Sequence, residues 1–249
     1  MRGQPLLELD DLRREALLAA TEVIAWPRAL RPRAIELRAV PAREARARPV
    51  PSADPRVEAG LAALLERWIA MQVELDRLDA QVGDGDTGST FARAAKQVRT
   101  RSSELPFADP PALLAELARQ LGECMGGSSG VLLSIACTAA SQALERRLDW
   151  PAALAEAVAR IQEYGGARAG DRTMLDALVP ALAALREGGD VHAAARAARL
   201  GAAQTASLAQ AKAGRAAYLS SASLIGVEDP GAIAIAGAFE AIADALGPG

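Results

Sequence analysis

Apolar positions recur three and four residues apart through most of the chain, the spacing of one helix face. Leu61, Leu64, Leu65, Trp68, Ile69, Gln72, Leu75 and Asp79 fall on one such face, so Asp79 ends an otherwise apolar, inward-facing stripe. The pattern predicts helices over roughly 55–78, 87–101, 110–123, 129–146, 151–164, 172–187, 191–213 and 230–246. Asp54-Pro55, Asp109-Pro110 and Asp229-Pro230 each set a capping carboxylate before a proline suited to the first helical turn. Asp149, Asp171 and Asp190 read as further starts. No run alternates as a strand does. Short connections favour antiparallel neighbours, and the longer one, Gly214 to Glu228, is a candidate functional loop.

The first fifty-odd residues follow another pattern. Leu6 to Ile24 is compatible with one amphipathic helix. Pro27, Pro32, Pro41, Pro49, Pro51 and Pro55 then arrive with arginines between them, an extended, linker-like composition. A Pro/Arg-rich arm or tail over 1–53 and a helical domain over 54–249 are therefore expected. Composition sharpens this: 51% hydrophobic residues support a sizeable core, and 3% aromatics favour helix over sheet. A net charge of −3 argues against a nucleic-acid footprint. Cys124 and Cys137 make no disulfide framework. No signal peptide is evident, and Val131 to Ala140 is too short to span a bilayer. A cytoplasmic protein without a membrane span is expected.

Chemistry concentrates in Gly83-Asp84-Gly85-Asp86-Thr87-Gly88-Ser89. The glycines allow a tight turn, and Asp84 and Asp86, with Asp79, offer three hard oxygen ligands of the kind Mg²⁺ takes. A helix starting near Thr87 would present free N–H groups to a phosphate. A plain capping loop fits the same residues about as well. Neither an EF-hand nor a Walker loop is spelled out. Met125-Gly126-Gly127-Ser128-Ser129-Gly130, Gly170-Asp171-Arg172-Thr173-Met174-Leu175-Asp176 and Asp229-Pro230-Gly231-Ala232 are each a helix start that either holds phosphate or is simply a turn.

Together with Gly214-Arg215-Ala216-Ala217-Tyr218-Leu219, these segments, in this order from about Leu61 to Leu246, resemble the nucleotide-binding L domain of dihydroxyacetone kinases. The resemblance implies an all-α, antiparallel eight-helix barrel with the nucleotide at one end. It implies that Asp79, Asp84 and Asp86 bind two Mg²⁺ ions bridging the phosphates of ATP. Thr87, Gly88, Ser89, Ser128 and Ser129 would line the phosphates. Gly165, Thr173, Met174, Asp229, Pro230 and Gly231 would surround the rest of ATP, with Arg172 and Arg215 on the phosphate side. The expected activity is that of a kinase converting ATP and glycerone to ADP and glycerone phosphate. Thr87 stands where the family often has histidine, and Leu132-Leu133-Ser134 where it usually reads Leu-Tyr-Gly.

The family captures its ketone through a histidine on a separate K domain. The one histidine here, His192, follows the cap Asp190 and is expected at the surface. A K-type partner subunit is therefore expected to supply the substrate site, and a homo-oligomer is compatible with this. Three alternatives are an L subunit with fixed ADP in a phosphoenolpyruvate-dependent system, a nucleotide-sensing regulatory module, and an acyl-phosphate-forming kinase.

Overall fold

The structure, a computed structural model, describes residues 49–247. The expected Leu6–Ile24 helix and most of the Pro/Arg-rich stretch lie outside them. Among the described residues the helices are α1 Pro55–Ala70, α2 Gln72–Val82, α3 Thr87–Thr100, α4 Pro110–Cys124, α5 Gly127–Glu145, α6 Trp150–Gly165, α7 Leu175–Arg186, α8 Val191–Gln204, α9 Ser221–Leu224 and α10 Pro230–Leu246. Extended backbone pairs once among them, in an isolated bridge between Ser52 and Pro106.

The aspartate caps form as their sequence dictates. Asp54 accepts from the N–H groups of Arg56 and Val57 at 3.0 and 3.2 Å, and Asp109, Asp149 and Asp190 each accept one at 2.8–3.1 Å. These open α1, α4, α6 and α8. Each such cap contributes about 1 kcal/mol.

Packing closes a ring in the order α1, α3, α4, α5, α6, α7, α8, α10 and back to α1, an antiparallel eight-helix barrel. α2 prolongs α1 across α3. The last helix is the most buried, its alanines and Ile233 and Ile235 facing the core. Trp68 of α1 meets Phe91 of α3 edge-to-face at 4.8 Å and donates its indole N–H to Ala234 O of α10 at 2.9 Å, tying three ring members together. α5 is the one described helix long and apolar enough to cross a membrane. Here it lies between α4 and α6, donating from Ser134 and Ser141 to carbonyls of Ala118 and Pro111 at 2.7 Å. Burial raises the thiols of half-buried Cys124 and Cys137, the latter to about 12, which leaves both as small apolar groups.

Three expected boundaries change. The run 55–78 is two helices broken at Met71 and ending at Val82. Met71 N–H still reaches Arg67 O, so the apolar stripe keeps its phase across the bend. Two other helices press against this bend. A Cβ on Gly88 of α3 would lie 1.9 Å from Gln72 O, and one on Gly237 of α10 would meet the Met71 sulfur. The run 191–213 stops at Gln204, where buried Thr205 donates to Ala202 O and turns the chain out. The run 172–187 begins only at Leu175, because Arg172 is left-handed at φ 59°.

Candidate functional site

An up-and-down ring puts alternate helix starts at alternate ends. The starts of α3, α5, α7 and α10 converge on a cleft of about 970 Å³. The two ends are capped differently. All four helices starting at the far end carry a side-chain cap, whereas α3, α5 and α7 carry none at their cap residues; only α10 does, through Asp229. Orphan amides at helix starts favour anions; here Asp79 and Asp76 take up N–H groups at the start of α3 and the Thr173 hydroxyl takes up that of Leu175, which leaves the start of α5 without a side-chain partner.

The aspartates come from the last turn of α2 and the loop after it. Buried Asp79 points its Oδ2 at the N–H groups of Asp86 and Thr87, at 2.9 and 3.1 Å, which bends the loop back over the helix end. Gly83 makes this fit possible: a Cβ there would lie 2.2 Å from Asp79 Oδ1. Gly85 takes φ 79°, a conformation that favours glycine. Each of Asp79, Asp84 and Asp86 offers a carboxylate oxygen, and these lie within 4.8 Å of one another. Three hard anionic oxygens this close repel each other, and a divalent cation relieves that repulsion. The donor set therefore fits Mg²⁺. Arg215, exposed on the loop before α9, adds a positive partner in direct contact with Asp84.

Thr87, Ser128 and Ser129 line the cleft, as do Gly165, Thr173, Met174, Asp229, Pro230 and Gly231. Gly130 lets the chain fold tightly before α5, since a Cβ there would lie 2.0 Å from Met125 O. Gly88 and Ser89 are placed elsewhere. Gly88 is buried against Gln72 O, and Ser89 donates its N–H and its hydroxyl to Asp76, each at 2.7 Å. Ser89 opens instead onto a separate hollow beside Gln72, Arg93 and Lys96.

Arg172 lines the cleft as well, but its guanidinium is turned into the protein. It is 2% exposed, and its guanidinium donates to three backbone carbonyls, of Thr205, of Leu208 at 3.2 Å and of Val227 at 2.8 Å. Burial lowers its pKa, opposed by the charges of Asp229 and Asp176. Both terminal nitrogens of its charged group are held by the protein's own backbone, while its buried Nε has no partner among the described residues. Asp229 is buried beside it, and burial raises its carboxyl to about 7, helped by Asp176 and Asp79 and opposed by the Ala232 N–H and Arg172. Burial alone would raise Asp171 as well, yet the Arg168 N–H and the Lys212 ammonium hold it below the usual range. His192 is half-buried and bonds Gly247 O at 2.7 Å, away from the cleft.

Sequence reasoning passed over Asp76, which pins the start of α3, and the aromatic ring of Tyr164 that edges the mouth, and it quoted Tyr218 only as part of a segment, without a role. Asp76 stands one turn before Asp79 on the same helix, so its i, i+3 spacing was the available signal. Tyr164 carried none, because nothing local marks an exposed ring.

A family model described as the DAK2 domain matches residues 81–244. The chain is 43% identical to the dihydroxyacetone kinase of Citrobacter freundii, over 98% of this chain and 45% of that protein. It is 37% identical to the triokinase/FMN cyclase of Rattus norvegicus, over 98% of this chain and 44% of that protein. The crystal structure of the native C. freundii dihydroxyacetone kinase aligns with TM-score 0.72 and 40% identity, over 80% of this chain and 36% of that one. The same enzyme in complex with AMP-PNP and Mg²⁺ aligns with TM-score 0.69 and 41% identity, over 80% of this chain and 35% of that one. The chain thus spans less than half the length of these relatives.

Proposed function

The chain belongs to the DAK2 domain family, and on that premise we propose that it is the ATP- and magnesium-binding part of a dihydroxyacetone-type kinase. In this proposal it transfers the γ-phosphoryl group of ATP to a hydroxyl of a short ketose. A K-type partner, soluble and cytoplasmic like this chain, holds that ketose through a covalent histidine. The observation that carries the proposal is the cluster of Asp79, Asp84 and Asp86 at a mouth where the start of α5, with Ser128 and Ser129, has no side-chain cap. The likeness to a kinase solved with AMP-PNP and Mg²⁺ supports it.

In phosphoryl transfer the protein mainly positions groups and offsets charge. Asp79, already fixed by two backbone N–H groups, would hold magnesium together with Asp84 and Asp86, and two ions are expected. Bound there, magnesium would neutralise the phosphates and stabilise the charge that develops on the leaving oxygen. The N–H groups and hydroxyls of Ser128 and Ser129 orient the phosphates, and Arg215 adds an exposed positive charge opposite Asp84. Ile161, Met174 and Gly165 wall the inner cleft, where a purine finds an apolar surface. No carboxylate here is assigned as general base. His192, bonded to Gly247 O, is not one either, so the acceptor hydroxyl and the group that takes its proton belong to the partner. Exposed Val131, Tyr164 and Tyr218 at the mouth offer that partner an apolar rim.

Calorimetric titration with ATP, with and without Mg²⁺, tests the proposal. Binding is expected to require Mg²⁺. Asp84→Ala is expected to weaken it by at least the ~10–100-fold that outer-shell changes cost a metal site. A folded, nucleotide-free chain that binds no Mg–ATP would refute it. Bound ADP that does not exchange would favour the phosphoenolpyruvate-dependent alternative.

A further inference from the structure

We infer that Arg172 is a positioning residue, which closes the neck of the 205–228 loop and through it sets Arg215 over the aspartate cluster. This rests on the cleft being the nucleotide site. The chain leaves the ring after α8 and returns at the start of α10. Where it leaves, Thr205 O and Leu208 O accept from one arm of the Arg172 guanidinium; where it returns, Val227 O accepts from the other. One planar side chain thus bridges both strands of the neck, with donors fixed in different directions; an ammonium on a flexible stem does not reproduce that fork.

The neck is reinforced around it. Gly226 N–H donates to Ala206 O at 2.8 Å, and Asp229 N–H to the Thr205 hydroxyl at 2.8 Å. Further out, the residue before Arg172 holds the same loop: Asp171 pairs with Lys212 at 3.1 Å. The underside of the loop is seated too, since Ala216 and Leu224 pack on Val82, the residue just before Gly83 and Asp84. Between that seat and the neck stands Arg215, against Asp84. A guanidinium buried to this degree, with both terminal nitrogens on carbonyls of a single loop, fixes where that loop lies.

Two tryptic sites, Lys212 and Arg215, lie in the loop, so its position is read without nucleotide. In Arg172→Lys, cleavage after Lys212 and Arg215 is expected to speed up about tenfold or more while the cooperative melt persists. Mg–ATP affinity is expected to fall in Arg172→Lys and in Arg215→Ala, and the double variant to be no weaker than the weaker single one, because both act through one contact. Unchanged cleavage, or additive losses in the double variant, would overturn the inference. Should Arg172→Lys not fold, hydrogen exchange on the unaltered chain decides: the Gly226 and Asp229 amides are expected to exchange at least tenfold more slowly than those of 213–215, and equal exchange would overturn it. If cleavage speeds up but the unaltered chain binds no Mg–ATP, the anchoring stands and the nucleotide proposal falls.

Discussion

In the proposed site, Asp79 serves the fold with one oxygen and leaves the other for the metal. Oδ2 satisfies the N–H groups of Asp86 and Thr87, while Oδ1 stays beside Gly83. Asp79→Ala orphans two amides and is expected to cost about 1–3 kcal/mol of stability, by chemical denaturation. Asp79→Asn keeps an accepting oxygen for them. It is expected to melt close to the unaltered chain and still lose Mg²⁺-dependent ATP binding, which separates the two roles. Asp229 has a different signature. Its folded pKa, about 7, lies above its ordinary 3.8. Below pH 3.8 both states are protonated. As pH rises towards 7 the unfolded chain releases the proton first, so stability falls across that window and levels off above it. Asp229→Asn is expected to remove about one proton from the slope of unfolding free energy against pH over that range. At this scale the sequence named the aspartates but not the destinies of its arginines. Arg172 and Arg215 both sit in glycine-flanked loops. What separates them is the carbonyls of Thr205, Leu208 and Val227, more than thirty residues away, and no local pattern encodes that.

For the helices, starts were more legible than ends. Pro55, Pro110 and Pro230 begin helices as their Asp-Pro pairs imply, because a cap is a contact among neighbours. The bend at Met71 and the stop at Gln204 depend on close approach by other helices and on a buried hydroxyl, which periodicity cannot see. Glycines report these approaches. Gly88→Ala would drive a Cβ into a backbone carbonyl and push α3 off α2; a loss of about 1–3 kcal/mol or more is expected. Gly60, inside α1, has as its nearest neighbour Ile242 Cγ2 at 3.7 Å. There alanine is expected to add about 0.5–1 kcal/mol, since helix propensity is gained without a clash. Denaturant midpoints of the two variants should move in opposite directions.

The ring is closed by the first and last helices of the described residues, α1 and α10, with Trp68 bonded to Ala234 at the seam. A chain ending at Glu228 would leave α1, α7 and α8 without their common neighbour. It is expected to keep helical far-ultraviolet dichroism and lose the near-ultraviolet signal and the cooperative melt. The barrel itself was legible only once the loop motifs were taken together, since helix spacing alone allows many bundles. The antiparallel ring also has an electrical consequence. Neighbouring helix dipoles point in opposite directions, so their far fields cancel, and the attraction of the helix starts at the cleft ends within a few ångströms. At longer range an anion meets a chain of net charge −3. The site would then grip a nucleotide that has arrived but not draw one in from the surrounding water, and added salt should speed capture slightly by screening the repulsion.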